Sequence, residues 1–330
     1  MKNHFPRRAS VFWRALAFSY CFVLPQVFAA EPSYPNRSIT LIVPYGAGSS
    51  TDILARVISK EMAADLGQAI IVENKAGAGG TIGSAAVARA TADGYTLVMG
   101  TISSHSINES MMKSVPYRVL RDFTPISLVA YFPNLLAVNN DLPVSNLNEL
   151  IALAKAKPGM SFATGGIASS GQLAGELFML RTGTKFNHLP YKEVGQAVTD
   201  VVANHVPIII YQVPALVSQI KANKLKALAV LAPTRTSLLP DLPTPGEQGI
   251  ADFDATAWMG LFGPAKLPDG VAATLQKSLA KVSARPEVIQ QLAQQGFTLA
   301  AGTSDQFRQF LVQDIAKWAA VIKETGATID

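Results

Sequence analysis

The chain has 330 residues, of which 49% are hydrophobic and 15% are charged. This length and composition can bury a large core and predict two domains rather than a disordered protein. The formal net charge is +5, but residues 1–29 contain four basic and no acidic residues, so the remainder carries only +1. A nearly neutral remainder gives no electrostatic reason to expect a nucleic acid or an anionic membrane surface as a partner.

The first segment, residues 1–29, has the pattern of a secretion signal. A basic stretch precedes an apolar run at residues 15–24, and small residues follow near Ala29. The run is about half of the ~20 residues that cross a bilayer, which predicts cleavage after Ala29 rather than a permanent anchor. Cleavage would also remove Cys21, the only cysteine. The exported chain would then have no disulfide, thiol nucleophile or cysteine metal site.

From residue 39 onward, short apolar strands alternate with glycine-rich loops and helices. The run Ile39–Val43 is rich in β-branched residues and is halted by Pro44, which predicts a buried strand. This alternation predicts a parallel sheet covered by helices. The elements predicted here are strands at 39–43, 69–72 and 95–99, a helix after residue 50 and a helix at 82–90.

A second series of strands and helices follows the segment Ile126–Val138, which lacks helical periodicity. Its predicted elements are helices at 147–155 and 171–181 and strands at 161–164, 187–189, 206–211 and 225–231. The C-terminal third returns to long helices, predicted at 268–284, 286–295 and 304–324. We therefore expect two α/β lobes. Lobe 1 would be discontinuous, with residues 30–130 and 232–330, and lobe 2 would hold residues 131–231.

Two loops between a strand and a helix are candidate anion-binding sites. The segments Tyr45–Asp52 and Thr164–Gly171 combine glycines with serine or threonine caps. Unpaired N–H groups at a helix start, together with the helix dipole, attract negative charge. An ordinary capped turn explains the first loop equally well. A third loop, Gly77–Gly83, lacks the spacing of a dinucleotide fingerprint, which favours a close-packing turn.

The serines of the second candidate loop, Ser169 and Ser170, raise the question of a hydrolase. A hydrolase elbow requires glycine two residues before the nucleophile, where this chain has Ile167 and Ala168. The histidines lack metal-ligand spacing, and the acidic residues are dispersed. We therefore expect no catalytic residue, no metal site and no cofactor. A secreted serine hydrolase stays the less favoured alternative.

Taken together, these segments resemble the Bug receptors, the substrate-binding proteins of tripartite tricarboxylate transporters. The resemblance covers essentially the whole chain after the leader. Motifs that carry it are, in chain order, Val43-Pro-Tyr45, Asp52-Ile-Leu-Ala-Arg56, Val72-Glu-Asn-Lys-Ala-Gly-Ala-Gly-Gly80, Asp93-Gly-Tyr95, Pro190-Tyr-Lys192, Leu239-Pro-Asp-Leu-Pro-Thr244 and Trp258-Met-Gly-Leu-Phe262. It implies the α/β fold of type II periplasmic binding proteins, with two lobes and a ligand cleft between them.

The resemblance also implies a function. The protein would be a periplasmic, non-enzymatic receptor, expected to be a monomer, that captures a small carboxylate by lobe closure. It would present the ligand to the membrane permease of a tripartite tricarboxylate transporter or, alternatively, to a sensor kinase. The ligand-binding residues that the resemblance implies are Tyr45, Gly46, Gly48, Ser49, Ser50, Asp52, Thr101, Ser103, His105, Thr164, Ser169, Ser170, Tyr191 and Tyr211.

The chain departs from the family pattern at several positions. Ser49 stands where the family usually has a second glycine, and Gln172 replaces a customary histidine. The second-lobe strand ends in Tyr211-Gln212 instead of the usual Asp-Asn. The pocket should therefore be less acidic and contain an extra aromatic ring. This combination favours an aromatic carboxylate or a dicarboxylate over the ammonium group of an amino acid.

Overall fold

The computed structural model describes residues 34–327 and, separately, residues 1 and 4. The predicted apolar run, the cleavage site and Cys21 lie outside the described residues. The strands are β1 Ile39–Val43, β2 Ile70–Asn74, β3 Thr96–Thr101, β4 Phe123–Phe132, β5 Asn134–Val138, β6 Met160–Thr164, β7 Phe186–Pro190, β8 Ile208–Gln212, β9 Lys226–Val230, β10 Ala257–Pro264 and β11 Thr298–Leu299. The helices are α1 Ser50–Leu66, α2 Thr81–Ala88, α3 Asn108–Met111, α4 Val119–Asp122, α5 Leu147–Ala156, α6 Ser170–Thr182, α7 Val194–Val202, α8 Val213–Lys221, α9 Asp269–Ser283, α10 Pro286–Ala293 and α11 Ser304–Thr325.

The described strands form two mixed sheets with the same internal order. One sheet runs β11-β4-β10-β3-β1-β2 and the other β7-β6-β8-β5-β9. In each, parallel strands are interrupted by one antiparallel strand, β10 in the first sheet and β5 in the second. At the edge of the first sheet, β11 is also antiparallel to its neighbour β4. The prediction of a parallel sheet is therefore wrong for β5, β10 and β11. Strands β5 and β10 follow, along the chain, a strand of the other sheet, and each runs antiparallel to both of its neighbours.

Most predicted strands and helices are observed close to their expected ends. The sequence reasoning missed α7 and α8, which complete the strand–helix alternation of the second sheet. Helix α8 carries Pro214 in its first turn, where a proline is tolerated because its missing N–H has no helical partner. A π-helical turn at Ser103–Ile107, next to α3, was also missed.

Two crossings of the chain connect the two sheets, a short one and a long one. Strand β4 leads into β5 through the single residue Pro133, and the chain returns between β9 and β10. The crossings are hydrogen-bonded to each other. The N–H of Leu231 donates to the Asn134 carbonyl (2.8 Å), and the N–H of Ala255 donates to the Leu231 carbonyl (3.1 Å). The buried side-chain amide of Asn134 donates to the Ala255 carbonyl at 3.0 Å. The exact lobe boundaries stay a prediction.

An aromatic cluster fixes the C-terminal helix α11 against β10. The indole N–H groups of Trp258 and Trp318 donate to the two carboxylate oxygens of Asp314, at 2.9 and 3.1 Å. Burial raises the pKa of Asp314. The side chain of Trp258 is fully buried in the core. Among residues 34–327, no helix has both the length and the apolar content needed to cross a bilayer.

Candidate ligand-binding cleft

A cleft of about 690 Å³ opens where parallel strands of both sheets end. Its walls are the loops that follow β1, β2 and β3 of the first sheet and β6, β7 and β8 of the second. The carboxyl ends of parallel strands meet at one edge of a sheet, which is where open α/β sheets bind their ligands. Most predicted ligand-binding residues line this cleft, namely Tyr45, Ser49, Ser50, Thr101, Ser103, Ser169, Ser170, Tyr191 and Tyr211.

Five predicted residues do not line the cleft. Gly46 and Gly48 belong to the first loop but are exposed. Thr164 is fully buried, and its hydroxyl lies 2.7 Å from His188 Nε2. His105 is also fully buried, with its ring stacked on a core phenylalanine. Asp52 is 3% exposed and points into the first lobe. If these residues affect binding, they do so by positioning the residues that line the cleft.

Asp52 shapes the first loop. Its carboxylate accepts hydrogen bonds from the main-chain N–H of Gly48 (2.9 Å), from Arg56 Nε (3.0 Å) and from the Asn74 amide (3.0 Å). Burial alone would raise the pKa of Asp52, but the hydrogen bonds from Arg56, Gly48 and Asn74 outweigh it and hold the pKa below its usual value. Its own N–H donates to Ser49 Oγ, which caps α1 at 3.2 Å. The Asp52 carboxylate thus holds the first loop in place from the side opposite the cleft.

The second loop is built in a similar way. Ser169 caps α6 by accepting the N–H of Gln172 at 3.2 Å, and the Gln172 side chain accepts the N–H of Ala168 at 2.9 Å. Ala168 adopts a left-handed φ of 57°. Ser170 Oγ lies 3.2 Å from Asn134 Oδ1 and donates its proton to it. Neither serine hydroxyl is hydrogen-bonded to a histidine among the described residues.

The third glycine loop also lines the cleft, which sequence reasoning missed. Gly77 to Gly80 form part of the wall, and a Cβ added at Gly80 would lie 3.0 Å from the Tyr45 hydroxyl oxygen. The predicted close-packing turn is present as well, because a Cβ at Gly83 would lie 2.7 Å from the Lys75 carbonyl oxygen. The position of this loop could have indicated its role, because the loop follows β2, the strand paired with β1.

The charge of the wall is positive. Of the residues described, 34–327, Lys192 is the one charged side chain that lines the cleft, and none of the lining residues is acidic. Sequence reasoning did not assign Lys192 or Gln212 to the site. Tyr191 also lines the wall, but its hydroxyl donates to Asp200 at 2.8 Å. The cleft therefore offers hydroxyls, helix-start amides and one ammonium group, a set that suits an anion.

Two tyrosines from different lobes are close in the cleft. Burial, with a contribution from Tyr45, raises the pKa of Tyr211 to about 12. Burial also raises the pKa of Tyr45, so both hydroxyls are protonated at neutral pH. The Tyr211 ring lies against the main chain of Gly165, where an added Cβ would lie 2.2 Å from a ring carbon.

A family model described as "Tripartite tricarboxylate transporter family receptor" matches residues 54–327. The chain belongs to this receptor family. This receptor is 38% identical over 321 residues to protein BugT of Bordetella pertussis, with 96% of this chain and 98% of BugT covered. A Rhodopseudomonas palustris protein solved with adipate superposes with a TM-score of 0.83 at 30% identity, covering 89% of this receptor and 98% of that chain. MatC of the same species, solved with bound malate, gives a TM-score of 0.79 at 29% identity, covering 88% and 100%.

These similarities confirm the resemblance to the Bug receptors and the two-lobed α/β fold of a type II periplasmic binding protein. Members of the family are periplasmic solute-binding proteins. The predicted role of the chain as a solute-binding receptor is therefore confirmed.

Proposed function

We propose that this receptor captures a small dicarboxylate in the cleft, closes its lobes around it and delivers it to the permease of a tripartite tricarboxylate transporter. The observation that carries the proposal is the composition of the cleft wall. Two capped helix starts, one beside each sheet, contribute Ser49–Thr51 and Ser169–Ser170, while Lys192 is the charged lining residue. The relatives solved with adipate and with malate support a dicarboxylate.

The proposed binding mode follows from the physics of helix termini. Each helix start stabilises an anion by ~0.3–1 kcal/mol through its dipole, and each hydrogen bond to a charged group contributes ~1.5–3 kcal/mol. A carboxylate held between α1 and α6 would receive these contributions from both lobes only when they are closed. Affinity and closure are therefore coupled.

An amino acid fits this wall less well than a dicarboxylate. Its ammonium group would leave water without meeting a carboxylate, because the described part of the chain places no acidic residue in the cleft wall. Lys192 would instead attract a second carboxylate. Because this lysine is exposed, its contribution should be small, ~0.2–1 kcal/mol at low salt.

A thermal-shift and calorimetric screen of the chain from residue 30 would test the proposal. The panel should contain succinate, malate, adipate, benzoate, phthalate, aspartate and glutamate. A ligand at 100-fold its Kd should add ~2.7 kcal/mol to the free energy of unfolding. We expect a dicarboxylate to give the largest shift. Tight binding of aspartate or glutamate together with no binding of succinate, malate, adipate or phthalate would refute the proposal.

A charge-matched pair of variants tests the role of Lys192. Lys192→Gln should weaken dicarboxylate binding by up to about five-fold at low salt. Lys185→Gln removes the same charge at an exposed position that does not line the cleft, and should have no effect. Equal effects of the two variants would show that Lys192 acts only through the net charge.

Export and delivery belong to the same proposal. Periplasmic protein should begin at Ala30, which N-terminal sequencing would reveal. Crosslinking of the ligand-loaded receptor in cells should recover the permease, whereas recovery of a sensor kinase would favour the alternative role. A fluorophosphonate probe should leave Ser169 and Ser170 unlabelled, since neither is hydrogen-bonded to a histidine.

A further inference from the structure

A buried chain of polar side chains leads from the cleft into the core of the first lobe. The Tyr45 hydroxyl oxygen lies 2.7 Å from Thr101 Oγ1, which lies 3.3 Å from Ser104 Oγ. Ser104 Oγ in turn lies 2.9 Å from His105 Nδ1. Tyr45 and Thr101 line the cleft, whereas Ser104 and His105 are 1% and 0% exposed. His105 is therefore connected to the cleft without reaching it.

The imidazole of His105 is held neutral in a fixed position. It stacks on Phe262 with ring centroids 4.2 Å apart and meets Phe123 edge-on at 4.6 Å. Gly100 leaves the space for the ring, because an added Cβ would lie 2.6 Å from Nδ1. Burial lowers the pKa of His105 to about 3, so the ring carries a single N–H at neutral pH.

The position of that proton follows from the partners of the two ring nitrogens. Nδ1 faces Ser104 Oγ, while Nε2 is buried with no hydrogen-bond partner among the described residues. A proton on Nε2 would bury a donor without an acceptor. A proton on Nδ1 leaves only a lone pair unpaired on Nε2, and buried unpaired acceptors are more common than buried unpaired donors. The Nδ1–H form of His105 is therefore favoured.

The tautomer sets the direction of every hydrogen bond in the chain. With Nδ1–H of His105 and the main-chain N–H of Thr101 (3.1 Å) both donating to it, Ser104 Oγ has no free lone pair. It donates its proton to the nearer of two acceptors, Thr101 Oγ1 at 3.3 Å rather than the Thr101 carbonyl at 3.5 Å. The Thr101 hydroxyl then donates to Tyr45, whose own proton is turned away from Thr101 toward the cleft wall. There it can donate to the Gly79 carbonyl at 3.4 Å or to a bound carboxylate. In the other tautomer Ser104 donates to His105, and Tyr45 can turn its proton inward to Thr101.

We propose that His105 is a positioning residue that makes Tyr45 a hydrogen-bond donor toward the cleft and so favours a carboxylate. In this orientation the Tyr45 proton points at the anion. In the reversed orientation, oxygen lone pairs would face the carboxylate and repel it. The inference rests on the proposed function, since it names the group through which this site selects an anion.

The first test needs no ligand. Long-range ¹⁵N–¹H NMR spectra of the chain from residue 30, labelled with ¹⁵N-histidine, report which nitrogen of each ring is protonated. The spectrum of His105→Asn assigns the His105 signals by their loss. We expect a neutral ring protonated at Nδ1 with no titration between pH 5 and pH 8. A ring protonated at Nε2, or a ring that titrates in this range, would overturn the inference.

The second test compares two substitutions of similar size. Asn at position 105 can place its amide N–H near the site of Nδ1, whereas Leu cannot donate. His105→Leu should weaken binding of succinate, malate or adipate by at least about ten-fold, the loss expected for one hydrogen bond to a charged group. His105→Asn should retain more of the affinity, although both variants lose the stacked ring. Equal losses in the two variants would show a purely structural role and contradict the proposal.

A third variant covers the case in which position 105 tolerates no change. Ser104→Ala breaks the chain one step closer to the cleft and should also weaken dicarboxylate binding by about ten-fold. Unchanged affinity in this variant would refute the inference. If the unsubstituted receptor binds no dicarboxylate, the proposed function fails, and the NMR result still decides which tautomer His105 adopts.

Discussion

Asp52 provides the sharpest test of how the first loop is held. Asp52→Asn keeps the shape of the side chain but replaces one carboxylate oxygen by an NH₂ group, which would face either the donors Gly48 N–H and Arg56 Nε or the Asn74 amide. Leaving a buried donor without an acceptor costs ~1–3 kcal/mol. Arg56 is half-exposed and contributes little to this sum. We expect the free energy of unfolding to fall by about 2 kcal/mol at pH 7.

The loss should depend on pH in a defined direction. The folded-state pKa of Asp52 lies below its usual value of ~3.9, so the carboxylate stabilises the folded state fully above that pH. Its contribution disappears as the pH falls through the folded pKa, where the carboxyl group becomes protonated in both states. The difference between the receptor and Asp52→Asn should therefore shrink below about pH 4.

Urea denaturation followed by circular dichroism at pH 7 and pH 3.5 measures this difference. Glu73→Gln is a suitable control, because Glu73 is exposed and its ion pair within the described residues is with the half-exposed Lys75. The control should change the stability by less than ~0.5 kcal/mol. An Asp52→Asn variant as stable as the unsubstituted receptor at pH 7, or equally destabilised at both pH values, would refute the reasoning.

Three further substitutions have defined outcomes. Ser170→Ala should weaken dicarboxylate binding by about ten-fold in calorimetry, with unchanged circular dichroism. Gly165→Ala would place a methyl carbon 2.2 Å from the ring of Tyr211, so it should displace the ring and reduce binding more than stability. Gly260→Ala would place a methyl carbon 2.1 Å from the Phe307 ring in the core, and should lower the free energy of unfolding by ~1–3 kcal/mol in urea titrations.

Matched controls separate these effects from general damage. Ser161→Ala removes a hydroxyl from β6, the strand that precedes α6, at a position that does not line the cleft, and should not change affinity. Gly270→Ala adds a methyl group with nothing within 4 Å inside helix α9, and should not lower stability. A control that matches its test variant would contradict the corresponding prediction.

The local parts of the fold could be predicted from the sequence, and the long-range pairings could not. Strand β1 and its loop are predicted by an apolar run, a proline and glycines, all within a few residues. The antiparallel insertion of β10 beside β3 depends on partners far apart in the chain, for which a single sequence holds no signal. For the same reason the loop after β2 was assigned to packing alone, although its strand ends beside that of the first loop.

The side chains of the site were predictable in type but not always in direction. Tyr45 and Ser170 line the cleft as expected. His105 lies only a few residues beyond Thr101, yet a π-helical turn and the space above Gly100 direct its ring into the core. Asp52 faces inward because Arg56, one helical turn later, and Asn74 hold it there. Such directions depend on backbone geometry that sequence periodicity does not encode.

The hydrogen bond from Ser170 to Asn134 would couple ligand binding to the movement of the lobes. A hydroxyl has one proton, and Ser170 gives it to a residue whose amide also ties the two crossings together. A ligand that accepts the hydrogen bond from Ser170 would remove this hydrogen bond from Asn134, which connects the two crossings. The two crossings should then differ in flexibility between the ligand-free and the ligand-bound receptor. Mutations at Asn134 should change the rate of lobe opening as well as the affinity for the ligand.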